Sequence, residues 1–125
     1  MVDKYLSLND VTAYKLAVNL SNEIWIKVLS WDYFAKDTIG KQFVRAIDSI
    51  SANIAEGFGR YNKKDKIRFY RYGTGSTKEC MDWCHKAYQR DLISKQEYCS
   101  TLIQLKSLPE QINSLIKITN SKLTI

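Results

Sequence analysis

The sequence predicts an all-α fold, an antiparallel up-down-up-down four-helix bundle forming one domain over residues 1–125. Turn-forming residues are scarce: Pro109 is the one proline, and the five glycines fall at 40, 57, 59, 73 and 75. A many-stranded fold would need a turn about every 8–12 residues. Apolar residues instead recur at i, i+3, i+4 and i+7 in four segments, about 9–30, 38–58, 63–91 and 94–120. Short loops between such helices make chain neighbours antiparallel.

In the first segment Tyr14, Ala17, Val18, Ser21, Ile24, Trp25 and Val28 form the apolar stripe, and Asn9 or Asp10 is the expected cap. The pattern breaks across residues 30–37, where Trp31, Tyr33 and Phe34 crowd a loop suited to a subunit interface or to a cap over the bundle end. In the second, Phe43, Ile47, Ile50 and Ile54 recur at helical steps, with Val44, Ser51 and Ala55 beside them. Gly57 and Gly59 suit a helix end, where positive φ is often required. The third segment places Phe69, Tyr72, Ser76, Cys80, Trp83 and Ala87 on one face. The fourth carries Tyr98, Leu102, Leu105, Ile112, Leu115 and Ile116, and Ser94 with Glu97 has capping-box spacing. Pro109 removes a backbone donor, so a kink is expected near residues 104–108.

A chain of this length buries enough surface to fold without a disulfide or metal staple. It contains no apolar run of spanning length, so no membrane association is expected, and residues 1–5 do not read as a secretory leader. Three cysteines, an odd number, fit a reducing cytoplasm better than a disulfide framework. One histidine and no nucleophile–base pattern make an enzyme unexpected.

The net charge of +6 is unevenly placed. Residues 1–62 are balanced, whereas residues 63–91 carry eight basic and four acidic groups. Taking ~100° per residue from Lys63, Lys64, Arg68, Arg71 and Lys78 fall within a stripe about 80° wide, apart from an apolar face near about 230°. Two readings stand: a solvated helix face whose tyrosines are half-buried core, or a polyanion site. In the second, Arg60, Lys63, Lys64, Arg68, Arg71 and Lys78 hold phosphates and the interleaved Tyr61, Tyr70 and Tyr72 stack on bases.

Other motifs carry less. Residues 73–78 (Gly-Thr-Gly-Ser-Thr-Lys) lack P-loop order and fall within a helical period, where small residues let a neighbouring helix approach. Residues 57–62 lack the third glycine of a dinucleotide fingerprint. Cys80, Cys84, His85 and Cys99 do not have zinc spacing, and buried thiols are the expectation. Glu56, Glu79 and Asp82 lack the Glu-x-x-His pattern of a di-iron bundle. No metal or cofactor is expected.

Residues 42–60, Gln-Phe-Val-Arg-Ala-Ile-Asp-Ser-Ile-Ser-Ala-Asn-Ile-Ala-Glu-Gly-Phe-Gly-Arg, resemble the signature of the bacterial 23S rRNA intervening-sequence proteins. A second block, with Phe69, Gly75, Ser76 and Glu79, is similar to that family's Phe…Gly-Ser…Glu stretch. The resemblance implies a left-handed antiparallel bundle assembling as a homopentameric ring. Members are encoded in insertions within large-subunit ribosomal RNA genes. A related branch, the accessory variability proteins of diversity-generating retroelements, implies nucleic acid and a reverse transcriptase as partners. The sequence departs from the family pattern at Ala35, where a proline usually follows the phenylalanine, and at Pro109.

Within the signature, Asn53 and Glu56 stand about one turn apart, and Arg45, Arg60 and Ser76 are the donors available to them. Arg45, Asn53, Glu56, Gly57, Ser76 and Glu79 are therefore expected to fix helix register or a subunit contact. The preferred reading is a non-enzymatic oligomer that binds RNA or DNA with little sequence preference. The alternative is a protein-interaction scaffold, for example an accessory subunit of a reverse transcriptase.

Overall fold

The computed structural model describes residues 7–124; the segment 1–5 read above for a leader lies outside them. Four long helices carry the fold: α1 (Thr12–Leu29), α3 (Lys41–Gly59), α4 (Lys63–Gln89) and α5 (Lys95–Lys122), with a one-turn α2 (Tyr33–Ala35) between the first two. Among the described residues there is no strand. The long helices form a four-helix bundle, each packing on its chain neighbour and α1 closing against α5.

Local chemistry sets the boundaries. Asn9 and Asp10 do not cap α1; they sit in a preceding 3₁₀ turn, where the Asp10 carboxylate accepts from the Ser7 backbone N–H and hydroxyl at 3.0 Å. The segment expected to be a loop is mostly helical. Asp32 starts α2 by accepting from the Ala35 N–H at 2.9 Å, and the chain then passes through a π turn, Lys36–Gly40, directly into α3. Trp31, Ala35, Ile39 and Phe43 are all buried, so a four-residue apolar step runs through this stretch and holds it on the bundle. Tyr33 and Phe34 point to solvent.

Two glycines are required by contact rather than by turn geometry, since no glycine among the described residues has positive φ. A Cβ on Gly40 would stand 2.8 Å from Val28 Cγ1, and one on Gly57 would stand 2.8 Å from the Lys66 carbonyl oxygen and 2.7 Å from the Tyr70 ring. Gly57 is thus a point of close approach between the end of α3 and the start of α4, not a left-handed helix cap.

The core confirms the face read for α3, with Phe43, Ile47, Ile50 and Ile54 buried. On α4 it is rotated: Tyr70, Gly73, Thr77, Cys80, Cys84 and Ala87 are buried, while Phe69 and Trp83 are only half-buried and Tyr72 is largely exposed. Trp25 of α1, expected in the core, is 54% exposed. The Ser94–Glu97 capping box opens α5, which continues through Pro109 as one helix with Leu105, Leu108 and Ile112 buried around it.

Candidate nucleic-acid interface

Asn62 determines where the basic stripe begins. Its side-chain oxygen accepts from the Asp65 N–H at 2.8 Å, capping α4 so that Lys63 and Lys64 occupy the first turn. Cations there face the positive end of the helix dipole, an arrangement disfavoured by roughly 0.3–1 kcal/mol that a bound anion would relieve. Lys63, Lys64, Asp65, Ile67, Arg68 and Arg71 of α4, with Asn120 of α5, line a groove of about 530 Å³. Lys64, Arg68, Arg71 and Lys78 are exposed, and Lys63 is half-buried with its Nζ donating to the Leu123 carbonyl at 3.2 Å. Arg68 also pairs with Asp65 at 3.0 Å.

The six basic residues singled out from sequence therefore divide. Four line the groove. Lys78 lies about two turns further along α4, roughly 10 Å beyond Arg71 at ~1.5 Å per residue. Arg60 is directed elsewhere: it pairs with Glu56 at 2.8 Å, and its guanidinium lies 4.5 Å from the centre of the Phe69 ring. Arg68 covers the same ring at 5.3 Å, and Tyr72 meets it edge-to-face at 5.4 Å.

Of the tyrosines expected to stack on bases, Tyr70 cannot, because it is 1% exposed and its hydroxyl meets Thr119 of α5. Its burial holds the phenol above its ordinary acidity range. Tyr61 and Tyr72 remain open at 82% and 50% exposure. Asn120 and Ile67 were missed by sequence reasoning. Asn120 comes from a different helix, and Ile67 falls beside the basic stripe, away from the apolar face read for this segment, yet packs half-buried against the core.

The signature residues make local contacts. Asn53 donates to the Ser49 carbonyl at 2.8 Å, and of the three donors expected for Glu56 it is Arg60 that pairs with it. Neither Asn53 nor Glu56 is buried in the chain. Arg45 is exposed and Ser76 half-buried. Glu79 accepts from the Trp83 indole N–H at 3.1 Å, and Asp82 pairs with Lys86 at 2.6 Å. His85 meets the Tyr98 hydroxyl at 3.4 Å. Among the described residues no group of three or more His, Cys, Asp or Glu side chains could hold a metal ion. Cys80 and Cys84 are buried, which pushes both thiols up, Cys84 to about 11, whereas Cys99 is exposed. No helix among the described residues is long and apolar enough to cross a membrane.

Fold and groove together define a small, basic, all-α four-helix-bundle protein. The family model for the 23S rRNA-intervening sequence proteins matches residues 9–114, and the chain belongs to that family. It is also similar in fold to a solved structure from Bacteroides thetaiotaomicron, a protein of unknown function from the S23 ribosomal protein family. The two share 19% identity at a TM-score of 0.75, over 85% of this chain and 99% of that one. No curated protein matches the chain significantly.

Proposed function

We propose that this protein binds RNA or DNA through the groove at the start of α4, without catalysis and largely without regard to sequence. The observation that carries this reading is the convergence of Lys63, Lys64, Arg68 and Arg71 on one groove that holds a single carboxylate, Asp65. Clustered cations release counterions from a polyanion, and such contacts position a backbone without reading bases.

The proposed working form is a homo-oligomer, a pentameric ring of left-handed up-down-up-down bundles, in the cytoplasm. Contacts between helix ends suit antiparallel neighbours: Lys63 reaches Leu123, Lys66 Nζ donates to the Phe58 carbonyl at 2.7 Å, and Lys27 pairs with Glu97 at 3.5 Å. Repeating one groove around a ring would turn weak contacts into useful avidity. A second reading, a scaffold for a protein partner such as a reverse transcriptase, is favoured by the exposed apolar side chains of Ile26, Leu29, Tyr33 and Phe34 around the α1–α2 turn.

The test is fluorescence anisotropy of labelled RNA and DNA titrated across salt. Four phosphate contacts per subunit predict a log–log salt slope of about −3 to −4 per engaged groove. Replacing Lys64, Arg68 and Arg71 together by Ala should abolish binding. Survival of binding in that variant would refute the groove, and no binding by the native protein at low salt would shift the reading to the scaffold.

A further inference from the structure

We infer that the groove takes a single nucleic-acid strand rather than a duplex, its backbone along Lys64, Arg68 and Arg71 and its bases stacked on Tyr61 and Tyr72; this rests on the nucleic-acid reading above. The first ground is the layout of the cations. They follow one helix edge, spanning roughly 10 Å from Lys64 to Arg71 at ~1.5 Å per residue. One line of cations grips one backbone, whereas a duplex presents two backbones across grooves about 6 and 12 Å wide.

The second ground is the pair of rings left in solvent. Tyr61 stands two residues before Lys63, and Tyr72 follows Arg71 directly, about 100° around α4 from it, so one open aromatic residue precedes the cation line in the chain and another flanks its far end. Stacking on a base requires a base face, and a duplex keeps those faces inside its own stack.

The third ground is that Tyr72 is already held in place. It leans edge-to-face on Phe69, and Phe69 in turn lies under the guanidinium groups of Arg60 and Arg68 at 4.5 and 5.3 Å. Arg60 is itself tied to Glu56. A ring supported in this way loses little further freedom when a base stacks on it. The family signature around Glu56 and the basic groove are thereby linked through one aromatic support.

The experiment compares a labelled mixed-sequence 20-mer as a single strand with the same oligonucleotide annealed to its complement, at fixed salt, by anisotropy. The strand should bind at least about tenfold more tightly than the duplex. The double variant Tyr61→Ala/Tyr72→Ala should weaken strand binding by roughly tenfold or more and leave the weaker duplex binding unchanged. Tyr61→Phe/Tyr72→Phe should retain strand affinity, since the ring and not the hydroxyl does the stacking. Both sites are exposed, and a thermal melt of each variant confirms an intact bundle. Equal affinity for strand and duplex, with the Ala variant unaffected, would overturn the single-strand inference while leaving nucleic-acid binding in place. Failure to bind either form would overturn both.

Discussion

Arg60 ties the end of α3 to the first turns of α4: its Nη2 pairs with Glu56 at 2.8 Å while its guanidinium covers Phe69 at 4.5 Å from the ring centre. One residue thus clamps the outer side of the α3–α4 corner. On the inner side the same corner is closed by Gly57 against Tyr70 and the Lys66 carbonyl.

The clamp is exposed, so its contribution is small. An exposed ion pair contributes about 0–1 kcal/mol and an exposed cation–π contact about 0.5–1 kcal/mol. Glu56→Ala should lower stability by less than ~1 kcal/mol in a thermal melt, and Arg60→Ala by about 1 kcal/mol because it removes both contacts. Oligomer mass, measured by light scattering on the Glu56→Ala variant, separates two roles. A lost oligomer with little change in melting places Glu56 in a subunit contact. An unchanged mass leaves the pair as a clamp within the chain.

Gly57 and Gly75 should respond oppositely to alanine. At Gly57 the new methyl would press on the Lys66 carbonyl, a backbone atom that cannot swing aside, and on the buried Tyr70 ring. Overpacking of this kind costs about 1–3 kcal/mol. At Gly75, on the exposed side of α4, nothing lies within 4 Å of the added Cβ. There the substitution should stabilise by up to about 1 kcal/mol, the helix-propensity difference between the two residues. Chemical denaturation of both variants checks the sign of each change.

The face of α3 was legible in the sequence because Phe43, Ile47, Ile50 and Ile54 are strongly apolar and evenly spaced. That of α4 was misread by roughly 60°, at ~100° per residue. Phe69 and Trp83 outweighed Tyr70, Gly73 and Thr77, whose burial depends on tertiary contacts that hydrophobicity does not encode. Gly73 faces the Ile50 carbonyl of α3, and Thr77 tolerates burial since its hydroxyl is satisfied within α4 by the Gly73 carbonyl at 2.9 Å. The helical run from Tyr33 was hidden in the same way, since Ala35 is a weak apolar signal and the Asp32 cap was overlooked. The cations of the groove were visible as a stripe. Their convergence with Asn120 was not, because it depends on how the end of α5 meets the start of α4.

The three thiols should separate cleanly in a labelling experiment. Thiolate is the reactive form, and burial suppresses it at Cys80 and Cys84 and shields both from reagent, whereas Cys99 is exposed. A thiol-specific reagent at pH 8 should therefore modify one cysteine quickly in the native protein and the other two only after denaturant is added. Fast modification of all three would mean that the α4 face opens readily.

The same two buried thiols make stability sensitive to alkali. In the folded chain burial favours their neutral form, so their pKa values lie above the ordinary 9.0, that of Cys84 at about 11. Once pH exceeds 9.0 the unfolded chain releases these protons first, which draws the equilibrium toward unfolding. Their contribution is fully present below pH 9.0 and, for Cys84, declines as pH rises toward about 11. The buried Tyr70 phenol acts in the same direction from its ordinary value of 10.0. Melting temperature should accordingly fall more steeply between pH 9 and about 10.5 than between pH 7 and 9. The double variant Cys80→Ala/Cys84→Ala will melt lower at neutral pH, because it leaves small cavities in the core. The diagnostic is its slope: the variant should lose less of its remaining stability across the alkaline range than the native chain does. An equal slope would assign the alkaline sensitivity to Tyr70 instead.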